Sequence, residues 1–284
     1  GKRDAAEQRL RNAVSANGDS PHLKVALGQL LARKGTLGEA HDLAIAALKL
    51  DERSASAMLT LGMVYRRQQK FELAELALNQ AIEIAPGSGE AYNELGLVAL
   101  AQSNTNKAVA AFEKAAQLTP DVAGIHNNLG ALRNEVGNYR GAESSSRTAI
   151  ELNGGVSEFY LNLGNALRGQ ERYDDAESAY RRALDVGSGT TQAYFNLGVL
   201  YLDNEIQGKD TVARYTECIQ LLETYLSGAK PKGAERKEVD EYIETAKDQI
   251  AREQKRLERE RQRAAKKAAK EAEKKNEEEA GGEQ

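Results

Sequence analysis

The sequence predicts an all-α array built from one repeated pair of antiparallel helices, and three series of small residues predict it. A Leu-Gly pair returns every 34 residues, at Leu27-Gly28, Leu61-Gly62, Leu95-Gly96, Leu129-Gly130, Leu163-Gly164 and Leu197-Gly198. Twelve residues after the glycines come Ala40, Ala74, Ala108, Ala142 and Ala176, and seven further on come Ala47, Ala81, Ala115, Ala149 and Ala183. Three series sharing one period over five to six copies mark a repeated unit. Small residues at these places point to close helix contact, a Gly in one helix opposite an Ala in its partner, where a larger side chain would hold the axes apart. Between the Gly and the first Ala each unit carries turn-forming residues, as in Arg33-Lys34-Gly35-Thr36, Gln102-Ser103-Asn104-Thr105 and Glu135-Val136-Gly137-Asn138. A unit is therefore a helix, a short turn and an antiparallel helix.

Taken in order, the chain opens on a half repeat, 1–20, since Ala6, Leu10, Ala13 and Val14 hold the places of Ala40, Ala44, Ala47 and Leu48 one period later. Residue 1 is Gly rather than Met, so an N-terminal piece is expected to have been removed or omitted. Full repeats follow at 21–54, 55–88, 89–122, 123–156, 157–190 and 191–232. Ser20, Ser54, Ser88 and Thr190 stand just before first helices, where a side-chain oxygen can accept a bond from a free N–H of the first turn. Pro21 suits the first helical position, where its missing N–H costs nothing. The Gly-Ser-Gly triplets at 87–89 and 187–189 fall between units and read as turns, not phosphate loops.

The sixth repeat departs from the pattern. Its alanine place is Asp210, and the next second-helix pattern starts at Cys218, so 203–210 reads as an insertion of about eight residues, either a longer first helix or an extended turn. Gly228 to Gly233, with Pro231, breaks the helix. At 233–251, Val239, Tyr242, Ile243, Ala246 and Ile250 form a stripe at helical spacing, expected to cap the last repeat. The tail, 252–284, is charged: residues 252–275 hold eleven Lys or Arg against five Glu, and Glu277, Glu278 and Glu279 then reverse the sign. Ile243, Ile250, Leu257 and Ala264 lie seven apart, as in a coiled coil, but Glu253 and Glu260 at partner positions argue for a solvated, Ala-rich single helix fraying into a disordered end.

The 34-residue period, the Leu-Gly pair, Tyr65 and Tyr201 three residues after their glycines, the two alanines, and Pro86 or Pro120 at a unit's end resemble the tetratricopeptide repeat (TPR) family over roughly residues 5 to 230. Trp is absent, with Met58, Tyr92, His126, Tyr160 and Tyr194 in its place, and the closing proline becomes Glu52, Gly154 or Ser188. The resemblance implies a right-handed superhelical solenoid whose first helices line a concave wall, with a C-terminal capping helix and a charged helical tail.

With 29% charged residues and a net charge of −4, the chain has no large field committing it to nucleic acid or to an acidic partner. The one cysteine, Cys218, cannot form an internal disulfide, leaves the compartment open, and reads as an inert packed residue. No apolar run is long enough for a membrane span and no signal peptide is evident. His22, His41 and His126 lie in different repeats without metal-ligand spacing, and no nucleotide-binding, nucleophile or zinc motif appears. Ser144-Ser145-Ser146 lies within a second helix and reads as a small polar face. Catalysis, cofactors, metals and small-molecule substrates are therefore not expected.

The informative set is a row of asparagines. Two residues before each repeat glycine stand Ala26, Thr60, Glu94, Asn128, Asn162 and Asn196. Asn128, Asn162 and Asn196 thus hold one place in consecutive first helices, and each amide offers an acceptor and two donors. That suits an extended peptide, whose backbone repeats N–H and C=O groups along its length. Asn165, Asn134 and Arg168 are expected to widen the strip, and Asn93 and Asn127 to contribute at its edge. The row is similar to the asparagine ladder in the repeats of O-linked N-acetylglucosamine transferase, which implies peptide binding. The alternative is a tolerated polar residue on a wet surface. Val25, Leu59 and Asn93, or His22, Ser56, Glu90 and Gly124, stand where carboxylate-clamp members of the family carry basic residues, which argues against an acidic chaperone tail. Arg33, Arg66 and Arg67 form a smaller basic area.

The function expected is a non-catalytic scaffold that binds an extended segment of a partner protein. By resemblance to repeat lipoproteins of the bacterial envelope, including the gliding-motility group, it would serve in assembling a motility or secretion complex, in the periplasm or on the outer membrane, with the cytoplasm as alternative. Two other readings stand: a peptide-binding arm of a larger enzyme, and an adaptor whose basic tail contacts membrane or nucleic acid. Nucleic acid is disfavoured because the tail lacks aromatics to stack on bases, and membrane contact is expected only through a missing N-terminal anchor or the basic tail.

Overall fold

The computed structural model describes residues 2–187 and 191–281, with side chains described for 4–187 and 191–272. Ser188 and Thr190 lie outside the described residues, as do the side chains of Glu277, Glu278 and Glu279. Every described element is helical: α1 (Lys2–Ala16), α2 (Pro21–Lys34), α3 (Leu37–Leu50), α4 (Ala55–Arg67), α5 (Phe71–Ile84), α6 (Gly89–Ala101), α7 (Thr105–Leu118), α8 (Ala123–Glu135), α9 (Tyr139–Leu152), α10 (Ser157–Gly169), α11 (Tyr173–Val186), α12 (Thr191–Asp203), α13 (Thr211–Ala229) and α14 (Gly233–Gly281). Contacts divide the chain into two units, Gly1–Gly154 and Gly155–Gln284. In the first, α2 packs on α3, α4 on α5, α6 on α7 and α8 on α9; in the second, α10 packs on α11 and α12 on α13. Each pair is one helical hairpin of the 34-residue unit read from the sequence.

The turns inside the hairpins share one mechanism. Gly35, Gln69, Ser103, Gly137 and Glu171, spaced by the repeat period, all adopt positive φ, from 59° to 93°. Directly after them, Thr36, Lys70, Asn104, Asn138 and Arg172 donate backbone N–H bonds to Leu31, Tyr65, Ala99, Arg133 and Leu167 five residues back. This bond across a left-handed residue satisfies carbonyls that the helix end leaves open, and its repetition holds three non-glycine residues in a conformation they otherwise avoid. At the helix starts, the Ser20 and Ser88 hydroxyls accept from Leu23 N–H and Ala91 N–H as expected. Ser54 differs: its side chain makes no cap bond, and its carbonyl takes the N–H groups of Ala57 and Met58.

Gly28 faces the alanine of its partner helix, with the Ala40 carbonyl 3.4 Å from its Cβ position, but three later repeat glycines do something else. A Cβ at Gly62 would lie 2.5 Å from the Leu78 side chain, at Gly96 2.5 Å from the Phe112 ring, and at Gly164 2.4 Å from the Tyr180 ring. The glycine thus makes room for a bulky residue sixteen positions on, while alanines such as Ala74, Ala108 and Ala176 are fully buried beside it. In the fourth repeat that residue is Ser146, whose Oγ lies 3.0 Å from the Gly130 Cβ position.

In the second unit the insertion is a turn: α12 ends at Asp203 and α13 begins at Thr211. Ile206 is buried, and the buried Arg214 guanidinium donates to the carbonyls of Tyr201 and Asn204, which pins the turn to the hairpin. Cys218 Sγ bonds the Gly198 carbonyl at 3.2 Å, and Leu222 fills the space against Gly198 that Tyr180 fills against Gly164. Burial pushes the Cys218 thiol up to about 12, so it stays protonated and unreactive. Val239, Ile243 and Ala246 of α14 are buried against the last hairpin, and Tyr242 approaches Phe195 with ring centroids 6.4 Å apart. Beyond Glu253 the described side chains of α14 are exposed, Leu257 included. The helix continues unbroken to Gly281.

Candidate functional site

The expected amides lie on first helices, and in each unit two of them bond across neighbouring first helices. In the first unit Asn128 of α8 donates from Nδ2 to Oδ1 of Asn93 on α6, at 2.9 Å. In the second, Asn196 of α12 donates from Nδ2 to Oδ1 of Asn165 on α10, at 3.0 Å. Asn165 Oδ1 also accepts from the Tyr180 hydroxyl at 2.8 Å, and Gln192 donates to Asn196 Oδ1 at 3.0 Å. All four asparagines are half-buried.

These bonds correct one expectation, that each amide offers its full set of donors and acceptors. One N–H of Asn128 and one of Asn196 are spent on the preceding first helix, because the place two before the glycine packs toward that helix. The same place earlier in the array shows the same direction: a Cβ at Gly28 would touch Thr60 at 3.3 Å, and Thr60 is fully buried. Glu94 at this place is 6% exposed and accepts from Arg66 Nε at 2.7 Å. What the bonds give in return is orientation, since a tethered amide presents its remaining N–H and C=O groups in fixed directions. Among the described residues no protein partner is recorded for the Asn93 and Asn165 amide N–H groups.

The other expected members divide. Asn162 and Asn134 are half-buried, and Arg168 is exposed at the end of α10. Asn127 is 6% exposed, which removes it from the open face; it sits one residue, about 100° of helix, from Asn128. The basic area near the start is largely paired: Arg33 meets Glu90 at 2.7 Å and Arg66 meets Glu94, leaving Arg67 exposed. On the first-helix faces of α2 and α4, a cavity of about 200 Å³ is lined by His22, Val25, Ala26, Gln29 and Ser56, room for a small side chain. The sequence alone gave no sign of this cavity or of the amide pairing, both of which depend on rotamers.

Burial pushes the Tyr180 hydroxyl up to about 12, so it remains a donor to Asn165 across the physiological range. Among the described residues no group of His, Cys, Asp and Glu is arranged to hold a metal, and no helix is long and apolar enough to cross a membrane.

No curated protein matches the chain. Among solved structures it is similar to the APC/C hetero-tetramer Cut9-Hcn1, with a TM-score of 0.68 and 16% identity over 84% of this chain and 46% of that one, so it spans about half of that relative's length. It is similar to Pseudomonas aeruginosa pilF, with a TM-score of 0.63 and 19% identity over 83% of this chain and 98% of that one. A third is YrrB, a TPR protein with an unusual peptide-binding site, at a TM-score of 0.50 and 20% identity over 66% of this chain and 96% of that one. At these identities the likeness establishes the fold. The tetratricopeptide repeat model matches residues 37–89, 59–123, 93–153, 128–185 and 161–217, well over half of the sequence, and the chain belongs to the tetratricopeptide repeat family.

Proposed function

We propose that this chain is a non-catalytic scaffold that holds an extended segment of a partner protein against its first helices, with Asn128, Asn162 and Asn196 contacting the segment's backbone. Tetratricopeptide repeats generally mediate protein–protein interaction, and that coarser statement follows from membership of the family. The observation that carries the finer one is the amide pairing repeated in each unit, Asn93 with Asn128 and Asn165 with Asn196. Each bond to the neighbouring first helix fixes the direction of the amide groups it leaves over, which is what repeated contact with a peptide backbone requires. Asn134 and Arg168 extend the polar strip, and the cavity beside His22 and Ser56 would take a side chain from the same segment.

The test is capture of a partner by the full chain, compared with Asn128→Ala, Asn162→Ala and Asn196→Ala combined. Loss of capture at unchanged helicity and melting supports the reading; equal capture ends it. Placement in a bacterial envelope assembly, in the periplasm or on the outer membrane, is part of the same proposal and rests on the resemblance of array and tail to that group alone.

A second reading has its own observation, the exposed and predominantly basic stretch of α14 beyond Glu253. If it meets phosphates on membrane or nucleic acid, binding by the full chain should fall steeply between low and moderate salt. Partner capture through amides should change little over that range.

A further inference from the structure

The junction between the third and fourth repeats contains a cavity that the register of the chain explains. In the first unit, Ile45, Leu48, Met58 and Tyr65 pack on Ala44, Leu61 and Ala77 as an apolar cluster between the first two full repeats. Two periods later the four packing places hold Glu113, Ala116, His126 and Arg133, and the place of Ala77 holds Ser145. All five of these residues line one cavity of about 490 Å³ among α7, α8 and α9, with Thr148 closing one side. The places that bulky apolar side chains fill between the first two full repeats here border an open, polar cavity. Its volume falls in the range of small-ligand sites.

Arg133 determines what the cavity can take. Its Nη1 donates to Ser145 Oγ at 2.9 Å and to the Gly141 carbonyl at 3.4 Å, which fixes the guanidinium. Nη2 meets the half-exposed Glu113 at 2.8 Å through a single bond. Nε, on the same edge of the guanidinium as Nη2, is buried and has no partner. That edge is a two-donor fork, and the group that matches it is a carboxylate bonded to Nε and Nη2 together. Glu113 occupies half of it and, being exposed, can swing out.

We propose that this cavity is a carboxylate-binding socket in which an incoming carboxylate displaces Glu113 and spans Nε and Nη2 of Arg133. His126, Leu129 and Arg133 share one face of α8, and Asn128 lies on the other side of that helix, so the socket is separate from the amide strip. The carboxylate comes either as a free small acid or as a Glu or Asp side chain of a bound polypeptide.

The experiment titrates the full chain with glutarate, and separately with an end-blocked short peptide carrying one Glu and its Gln counterpart, following the Ser145 and Arg133 amides by NMR. Saturable shifts are expected with glutarate, with the Glu peptide, or with both, and not with the Gln peptide; which arm binds identifies the source. Glu113→Gln removes the internal competitor and should tighten binding at least threefold, whereas Arg133→Gln should abolish it. Ala116→Ile with His126→Tyr refills the junction with residues used at this place in other repeats, and should abolish binding in a folded chain. Substituting Asn128, Asn162 and Asn196 should leave it unchanged. Absence of saturable shifts in both the native chain and Glu113→Gln would overturn the proposal, as would binding that survives Arg133→Gln or the refilled junction.

Discussion

The third and fourth repeats share a backbone plan and differ in what fills it. Both have a glycine in the first helix, at 96 and 130, and a fully buried alanine in the second, at 108 and 142. In the third, the Phe112 ring lies where a Gly96 Cβ would go and is completely buried. In the fourth, Ser146 stands in its place, with an Oγ that is buried and has no partner. The period therefore fixes where helices run, because the glycine, the left-handed turn and the alanines act on the backbone. It does not fix how well each hairpin is packed. The fourth repeat can carry a polar interior because the third hairpin packs against it through α7 and α8.

Making the third repeat resemble the fourth should have the largest effect. Phe112→Ser removes a fully buried ring and leaves a hydroxyl in its place, and should cost about 3–5 kcal/mol in denaturant unfolding. Next come the alanines: Ala108→Leu overpacks a fully buried contact and should cost on the order of 1–3 kcal/mol, while Ala142→Leu should cost less because Ser145 and Ser146 leave room. Gly96→Ala forces the Phe112 ring aside and should destabilise by about 1–2 kcal/mol net of the gain in helix propensity. By contrast Gly130→Ala, which meets Ser146 Oγ at 3.0 Å, Ser145 Cβ at 3.4 Å and the Ala142 carbonyl at 3.5 Å, should stay within about 0.5 kcal/mol of the native chain. Ser146→Ala should act in the opposite direction to the large-effect changes: it deletes the unpartnered hydroxyl and should stabilise by up to about 1 kcal/mol. If the paired substitutions in the two repeats prove equal, the contrast in packing is not what separates them.

Much of this was legible in the sequence, and the parts that were not have physical causes. The Leu-Gly and alanine series place the first and second helices, since they report backbone approach, which recurs with the period. They misdirect on the glycine's neighbour: the residue sixteen positions on varies among Leu78, Phe112, Ser146 and Tyr180, so no repeated letter marks it. Cys218 and Leu222 stand in register once the insertion is allowed, but only the Arg214 bonds show that the insertion is a pinned turn. The asparagines were visible as a column, whereas their bonds to Asn93 and Asn165 depend on side-chain rotamers across neighbouring helices. His126 and Ser145 looked like unremarkable polar residues in separate helices. Aligning them two periods back on Met58 and Ala77 is the signal that would have exposed the hollow junction.

The central functional claim is tested most directly by the affinity of one extended peptide, selected on the full chain from a displayed random library. It should be measured for the native chain and for the combined Asn128→Ala, Asn162→Ala and Asn196→Ala variant at matched melting temperature. A tenfold or greater weakening is expected, spread over the peptide's backbone and insensitive to salt. Equal affinity in the two chains would contradict the amide strip as the binding face.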